Sequence, residues 1–522
     1  MLAVGGGLLW QYNRQPASAA TSSTRQPTAA RSTAAPKSIA VLPFVNLSSD
    51  KDQEYFSDGI SESLLNLLTR IPQLKVTART SSFYFKGKNV AIPEIAQRLH
   101  VAHVLVGSVQ KAGDEVRITV QLVDAATDTQ RWSQSYDRKI DDVFRIQDEI
   151  ADKVVKALKV KLLGATPTTH PTDPRAYALY LQGRELGRQF TAEALRKSDT
   201  LLHQALAIDP NYAPAWVDLS VNYGNEPLVG LLSTRESFSR AREAALKALA
   251  IDPDYAPAHA RLGRVAMYGD GDLADAAQHL QRALQLDPND LNVLGETGTL
   301  LANLGRLEES LAVEQALVRR DPVNPVSLSK LGYVQIFAGR YDEAIESYRT
   351  VLSLSPGRGG AHVQLGVALM LKGDAQAALA EISQESSGIM RRFGLPLVYC
   401  ALGRQADADA LIEAMVTKHA HENAYNIAYN YAFCGKADKA FEWLNQAVEY
   451  GDSGLAEIVP ENLFDRIHAD PRWQSFLRKL GRAPDQLARI TLQVGLPERR
   501  DTDAEFASGT PDATGPAGRK KQ

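Results

Sequence analysis

The amino-acid sequence predicts an α/β domain, a mixed sheet with packed helices, followed by an all-α solenoid. Three observations carry that expectation. A proline behind aspartate or serine returns at 210, 253, 288, 322 and 356, at intervals of 43, 35, 34 and 34 residues, and a period of this size marks stacked helical repeats. Ahead of the repeats, apolar runs of strand length trade with segments of helical spacing. The chain has 522 residues, two cysteines and a formal net charge of −3: length for more than one core, and no disulfide framework to hold it.

Residues 1–36 read as a truncated apolar segment and a flexible linker rich in Ala, Ser, Thr and Pro. The opening MLAVGGGLLWQY is shorter than the ~20 residues that span a bilayer. Three readings stay open: a membrane helix cut short by the assigned start, a weak export signal ending near Ala17-Ser18-Ala19, or an unstructured tail. Arg14, Arg25, Arg31 and Lys37 follow, which alone favours a cytoplasmic side for what comes after, while charges upstream can reverse that balance.

Residues 37–163 form the α/β domain. SIAVLPFVNL is a buried-strand run, and Ile60, Leu64, Leu65, Leu67 and Leu68 then recur at helical spacing. LKVTART reads as a second strand, IPEIAQRLH as a short helix with Pro93 near its start, and VAHVLVGSVQ as a third strand. A hairpin through Lys111 to Asp114 leads to a strand with Val116, Ile118, Val120 and Leu122 on one face, and a turn lies at Ala125 to Asp128. The closing helix buries Val143, Ile146, Ile150, Val154 and Leu158. With AVLPF, YFSDGISE, FKGK, AHVL, GSV and WSQSYDR, this stretch resembles the TolB-like amino-terminal domain of bacterial membrane-linked regulators and of proteins that carry cyclase or kinase modules. Val106, Gln110 and Gln134 stand where members of that family commonly have Glu, Arg and Glu.

Residues 173–450 form the repeats. Glycines at 263, 298, 332 and 366 keep nearly the same interval, as do the small residues Ala276, Ser310, Ala344 and Ala378, so two helices must approach closely at those points. The proline ends each second helix. Leu331-Gly332, Ala344, Tyr348 and Pro356 resemble the tetratricopeptide repeat. The second unit holds a long insertion around YGNEPLVGLLSTRESF, which is expected to emerge as a loop. Residues 451–483 read as a helical cap in which Phe464, Ile467, Trp473, Phe476 and Leu477 cover the end of the stack, and 499–522 as an unstructured tail.

No catalytic set assembles, so the chain reads as a non-enzyme, with no cofactor and no metal. Gly5-Gly6-Gly7 lacks the Lys-Ser or Lys-Thr of a phosphate loop, and His419 and His421 have no nearby cysteine to complete a metal site. His100 and His103 read as satisfied positions around the third strand, and Asp141, Asp142, Asp148 and Glu149 as a solvated face. Cys400 and Cys434 read as small packed hydrophobes, with a disulfide left open for an exported domain. The charge gives no global basic field, so nucleic acid is not expected to bind this chain alone.

Binding is the better expectation. The repeat resemblance implies a concave groove lined by the first helices, and one helical turn of spacing selects Asn292, Thr299, Asn303, Ser329, Tyr333, Val363, Tyr425 and Tyr429. That lining is aromatic and polar with few cations, which suits a protein or peptide segment with apolar or aromatic anchors. Repeat-to-repeat packing is the competing reading of each residue. The expected function is an interaction scaffold or sensory module of a bacterial envelope-associated regulatory system, tethered to the inner membrane with its domains in the periplasm, a cytoplasmic placement being the alternative. Two further readings remain: the sensory half of a CadC-like transcription regulator, or an adenylate cyclase relative without its output domain.

Overall fold

The computed structural model describes residues 35–71, 73–160, 169–189 and 191–495. The apolar start, Arg14, Arg25, Arg31 and the tail at 499–522 lie outside these residues.

Six strands form one mixed sheet: β1 (Ala35–Val41), β2 (Val45–Asn46), β3 (Lys75–Val76), β4 (Val101–Ala112), β5 (Glu115–Asp124) and β6 (Thr129–Lys139). Their order is β3-β1-β4-β5-β6, and β2 pairs with β4 beyond the end of β1. β1 runs parallel to β3 and β4, and the hairpins β4-β5-β6 complete the sheet antiparallel. Helices α1 (Glu54–Thr69) and α4 (Val143–Ala157) cover one face, the short α2 (Arg79–Phe83) follows β3, and α3 (Ile92–Leu99) covers part of the other face. Val116, Ile118, Val120 and Leu122 alternate into the core beneath α1 and α4, as their period of two requires.

The strand expected at LKVTART is cut to two residues. Thr77 N–H still reaches the carbonyl of Ile39, but Ala78 N–H donates to the carbonyl of Arg320 in a distant repeat turn, so the chain leaves the sheet there and enters α2. Val106 and Gln110 lie on the face away from α1, whereas Gln134 stands opposite Val120 on the core face; the three positions do not share a face.

Eight helical pairs follow among the described residues. They are α5 (Pro174–Gly187) with α6 (Ala192–Ile208), α7 (Ala213–Asn225) with α8 (Thr234–Ile251), α9 (Ala256–Val265) with α10 (Leu273–Leu286), and α11 (Leu291–Asn303) with α12 (Leu307–Arg320). Then come α13 (Pro325–Phe337) with α14 (Tyr341–Leu354), α15 (Ala361–Lys372) with α16 (Ala375–Gln384), α17 (Gly388–Ala401) with α18 (Gln405–His419), and α19 (Ala424–Phe433) with α20 (Ala437–Tyr450). The periodic small residues are where the helices of a pair touch. A Cβ on Gly332 would stand 2.7 Å from the ring of Tyr348, and one on Gly366 would stand 2.4 Å from Ile382. Ser310, wholly buried at its own such position, donates its hydroxyl to the carbonyl of Gly298.

The insertion in the second unit is a 3-10 turn at Glu226–Val229, closed by Gly230 in the left-handed region with φ 70°. Cys400 and Cys434 are disulfide-bonded, with Cα atoms 5.4 Å apart, and 34 residues separate them. Packing as two free thiols is therefore corrected. The repeat period itself brings them together, because it places both at the same point of successive first helices.

After α20 the chain makes 3-10 turns at Ser453–Glu457 and Asn462–Ile467, then α21 (Pro471–Lys479) and α22 (Pro484–Leu487). Phe464, Ile467, Trp473, Phe476 and Leu477 are all buried in the core of the last repeats. Among the described residues no helix is long and apolar enough to cross a membrane.

Candidate partner-binding groove

The Asp-Pro turns form one edge of the solenoid, and the sheet domain lies along it. Asp321, in the turn after α12, accepts hydrogen bonds from Ser81 N–H at 2.9 Å and Asn324 Nδ2, while Val323 N–H donates to the Ser81 hydroxyl. At the start of the edge, Thr172 donates to Asp209. Burial raises Asp287 to about 6, with Asp290 adding to the rise and Arg70 at the end of α1 opposing it. The sheet domain thus reaches the turns of the third and fourth pairs.

A second contact leads inward. Glu62 of α1, nearly buried, meets Arg79, Arg184 and Arg188. Burial alone would raise its carboxyl, but the guanidiniums of Arg184, Arg188 and Arg79 outweigh it and hold the group down to about 2. From there Arg184 approaches Asp218 at 3.5 Å, Arg261 approaches Glu296 at 3.6 Å, and Arg264 meets the same Glu296 at 3.3 Å. Lys330 completes the series through its attraction for Glu296, whose carboxyl it lowers together with Arg264 and Arg261 against the opposing effect of burial. Arg184, Asp218, Arg261, Glu296 and Lys330 sit 34, 43, 35 and 34 residues apart, the spacings of the repeats themselves. One repeat position therefore carries charge of alternating sign, and each group finds its opposite on the neighbouring first helix.

The expectation of a lining with few cations is thereby corrected. The cations are present, each facing a carboxylate of the ladder. Stacking the units by their prolines makes the alternation readable in the sequence, whereas selecting polar residues helix by helix does not.

The C-terminal segment occupies the other part of the inner surface. Glu457 accepts from the hydroxyls of Tyr268, at 3.3 Å, and Tyr333, at 3.0 Å. Tyr268 is aimed there by a π-turn at Ala266–Asp270 that ends the first helix of the third pair. Val459 packs against Gly305, and Asn462 Nδ2 donates to the carbonyl of Ile336. Asp452 accepts from Tyr425 N–H, and Gly454 lies so close to the Tyr425 ring that a Cβ would stand 2.5 Å from it.

The eight groove residues divide accordingly. Tyr425 and Tyr429 are buried against each other, and Phe464 packs on Tyr425, so they are core and not an open lining. Val363 is buried against Gly394, and Asn303 is 1% exposed. Tyr333 holds Glu457. Thr299 is half-buried with its hydroxyl on the carbonyl of Gly295, and Ser329 is half-buried with its hydroxyl on that of Pro325. Asn292 is exposed at the start of α11. Beneath Tyr333, a void of about 40 Å³ is lined by Thr299, Asn303, Glu314, Lys330 and Glu457. Burial pushes Glu314 up to about 7 against the attraction of Lys330, and burial raises Glu457 despite its two tyrosine hydrogen bonds. His421 stacks on Tyr450, and no metal-binding cluster of three such groups occurs among the described residues.

Residues 35–153 match the model of the HilA/YgeH-like transcriptional regulator second domain, and tetratricopeptide models match 231–290, 268–325 and 337–384. A putative adenylate cyclase 3 of Rhizobium meliloti is 40% identical over 188 residues, 35% of this chain and 32% of that one. The tetratricopeptide repeat and J domain-containing co-chaperone DNJ1 of Fusarium oxysporum is 34% identical over 123 residues, 24% of this chain and 23% of that one. The matched stretches thus span about a third or less of these relatives. Among solved structures, the type IV pilus biogenesis factor PilW is 19% identical, with 41% of this chain and 93% of that one covered at a TM-score of 0.33.

Proposed function

We propose that the chain is a non-enzymatic interaction module of a bacterial regulatory system, in which the repeats hold a partner protein and the sheet domain relays that occupancy. The observation that carries this reading is the docking of a regulator-type domain along the Asp-Pro edge, through Asp321, and onto the inner ladder, through Glu62. Because each repeat contacts only its neighbours, a partner that changes the pitch of the stack strains contacts made 240 residues apart in sequence. The partner segment lies on the open part of the lining, at Asn292 and Ser329, where neutral hydrogen bonding and not charge selects it, since the cations behind face the carboxylates of the ladder.

The disulfide supports an oxidising compartment and so the envelope placement with the domains outside the cytoplasm. The match at 35–153 favours a second reading, that of the sensory part of a transcription regulator whose DNA-binding part is separate. The TolB-like resemblance of the same stretch fits either.

Asn292→Trp with Ser329→Trp tests the groove. The double variant is expected to lose a protein that wild type co-purifies from envelope extracts, with unchanged melting. Retained capture removes the groove from this reading.

A further inference from the structure

A cleft lies away from the inner groove, where the turn between α9 and α10 meets the C-terminal segment. It measures about 570 Å³, within the range of small-molecule sites, ~300–1,000 Å³. One wall is Asp270 to Gln278 and the other Leu480 to Thr491, so stretches some two hundred residues apart build it together. Two links hold the walls in place: Arg482 Nη2 donates to the carbonyl of Gly271 at 2.9 Å, and Gln281 and Gln493 exchange a pair of hydrogen bonds.

Arg482 is the unusual feature. It is 5% exposed and lines the cleft, yet among the described residues no carboxylate bonds to it and its Nε has no partner. Burial lowers its guanidinium to about 10, opposed only by the more distant Asp272. A guanidinium taken from water without an anion leaves donors unsatisfied.

The surrounding charges favour a single negative charge. Asp270 is paired with Arg242, and Asp485 with Arg478. Asp272 caps α10 through Ala274 N–H and Asp275 N–H. Arg489 touches Asp485 only at 3.8 Å, with its side chain 80% exposed. One cation is left in excess. A dianion would also face Asp270 and Asp272 on the same wall. Ala274, Leu480 and Ile490 provide an apolar border.

We propose that this cleft binds a small organic carboxylate, its carboxylate on Arg482 and Arg489 and its apolar body on Ala274, Leu480 and Ile490. The ligand clamps the C-terminal segment to the third repeat pair, and binding raises protection of both walls. This site is separate from the groove at Asn292 and Ser329 and stands or falls independently of it.

Calorimetric titration of the full chain with hexanoate at fixed ionic strength tests the site, with inorganic phosphate as competitor. The expected result is saturable binding that weakens about tenfold or more in Arg489→Gln and in Arg482→Lys, each having lost a charge-assisted or bidentate contact, while phosphate does not compete. Arg489 is exposed, so its variant folds even if Arg482→Lys does not. No saturable hexanoate binding, binding that Arg489→Gln leaves unchanged, or equal competition by phosphate would overturn the proposal.

Discussion

Glu62 shows how one carboxylate can join two domains. Three guanidiniums converge on it, and Glu62→Gln leaves them without their anion. The expected loss is about 2–4 kcal/mol by urea unfolding, below the full figure for a buried pair because the arginines keep some contact with water. Its pH dependence has a definite sign. The group is held below its ordinary value of 4.5, at about 2, so its contribution is present above pH 4.5 and lost as the pH falls toward 2. Glu461, buried at the head of the 3-10 turn Asn462–Ile467 where it accepts from Leu463 N–H, behaves in the opposite way. Burial raises it from 4.5 to about 8, so its contribution is present below pH 4.5 and lost as the pH rises through 8. Melting temperature is expected to fall between about pH 4.5 and pH 8, and Glu461→Gln should flatten that fall. An unaltered decline in the variant assigns it to other groups, Glu314 first among them.

At the scale of elements, the repeat interval specifies contacts that ordinary helical propensity does not. Gly366→Ala presses a methyl group into Ile382 and is expected to cost about 1–3 kcal/mol. Gly388→Ala, where nothing among the described residues lies within 4 Å, should be close to neutral; equal losses at the two sites would show that helix approach is not what selects the glycine. The disulfide closes a separation of 34 residues, for which chain entropy gives about 3–4 kcal/mol. Reduction should lower the unfolding midpoint accordingly, and unchanged unfolding would contradict a role in holding α17 to α19. The helices and their punctuation were legible because the pattern is local and repeated. The strand at LKVTART was not, because Ala78 is drawn off by a carbonyl that only the folded solenoid supplies. The charge ladder was legible in principle, at one position per repeat, once the units are stacked.

For the whole molecule, both edges of the solenoid meet other parts of the same chain. The Asp-Pro edge takes the sheet domain, while the opposite turns and inner surface, from Gly271 and Gly305 to Tyr333 and Ile336, take the C-terminal segment. That segment ends the groove as read from sequence. No local signal tells a 3-10 stretch such as Ser453–Glu457 which surface it will enter, so Tyr425 and Tyr429, chosen for exposed aromatic contact, became its packing partners. The proposed groove is thereby confined to the stretch around Asn292 and Ser329. A photo-crosslinking residue at Ser329, with a control at exposed Leu246 on α8, tests this most directly in intact bacterial envelopes. The expected result is one discrete protein adduct at Ser329 and none at Leu246. Absence of an adduct at Ser329, or the same adducts at both positions, would contradict a partner-holding groove.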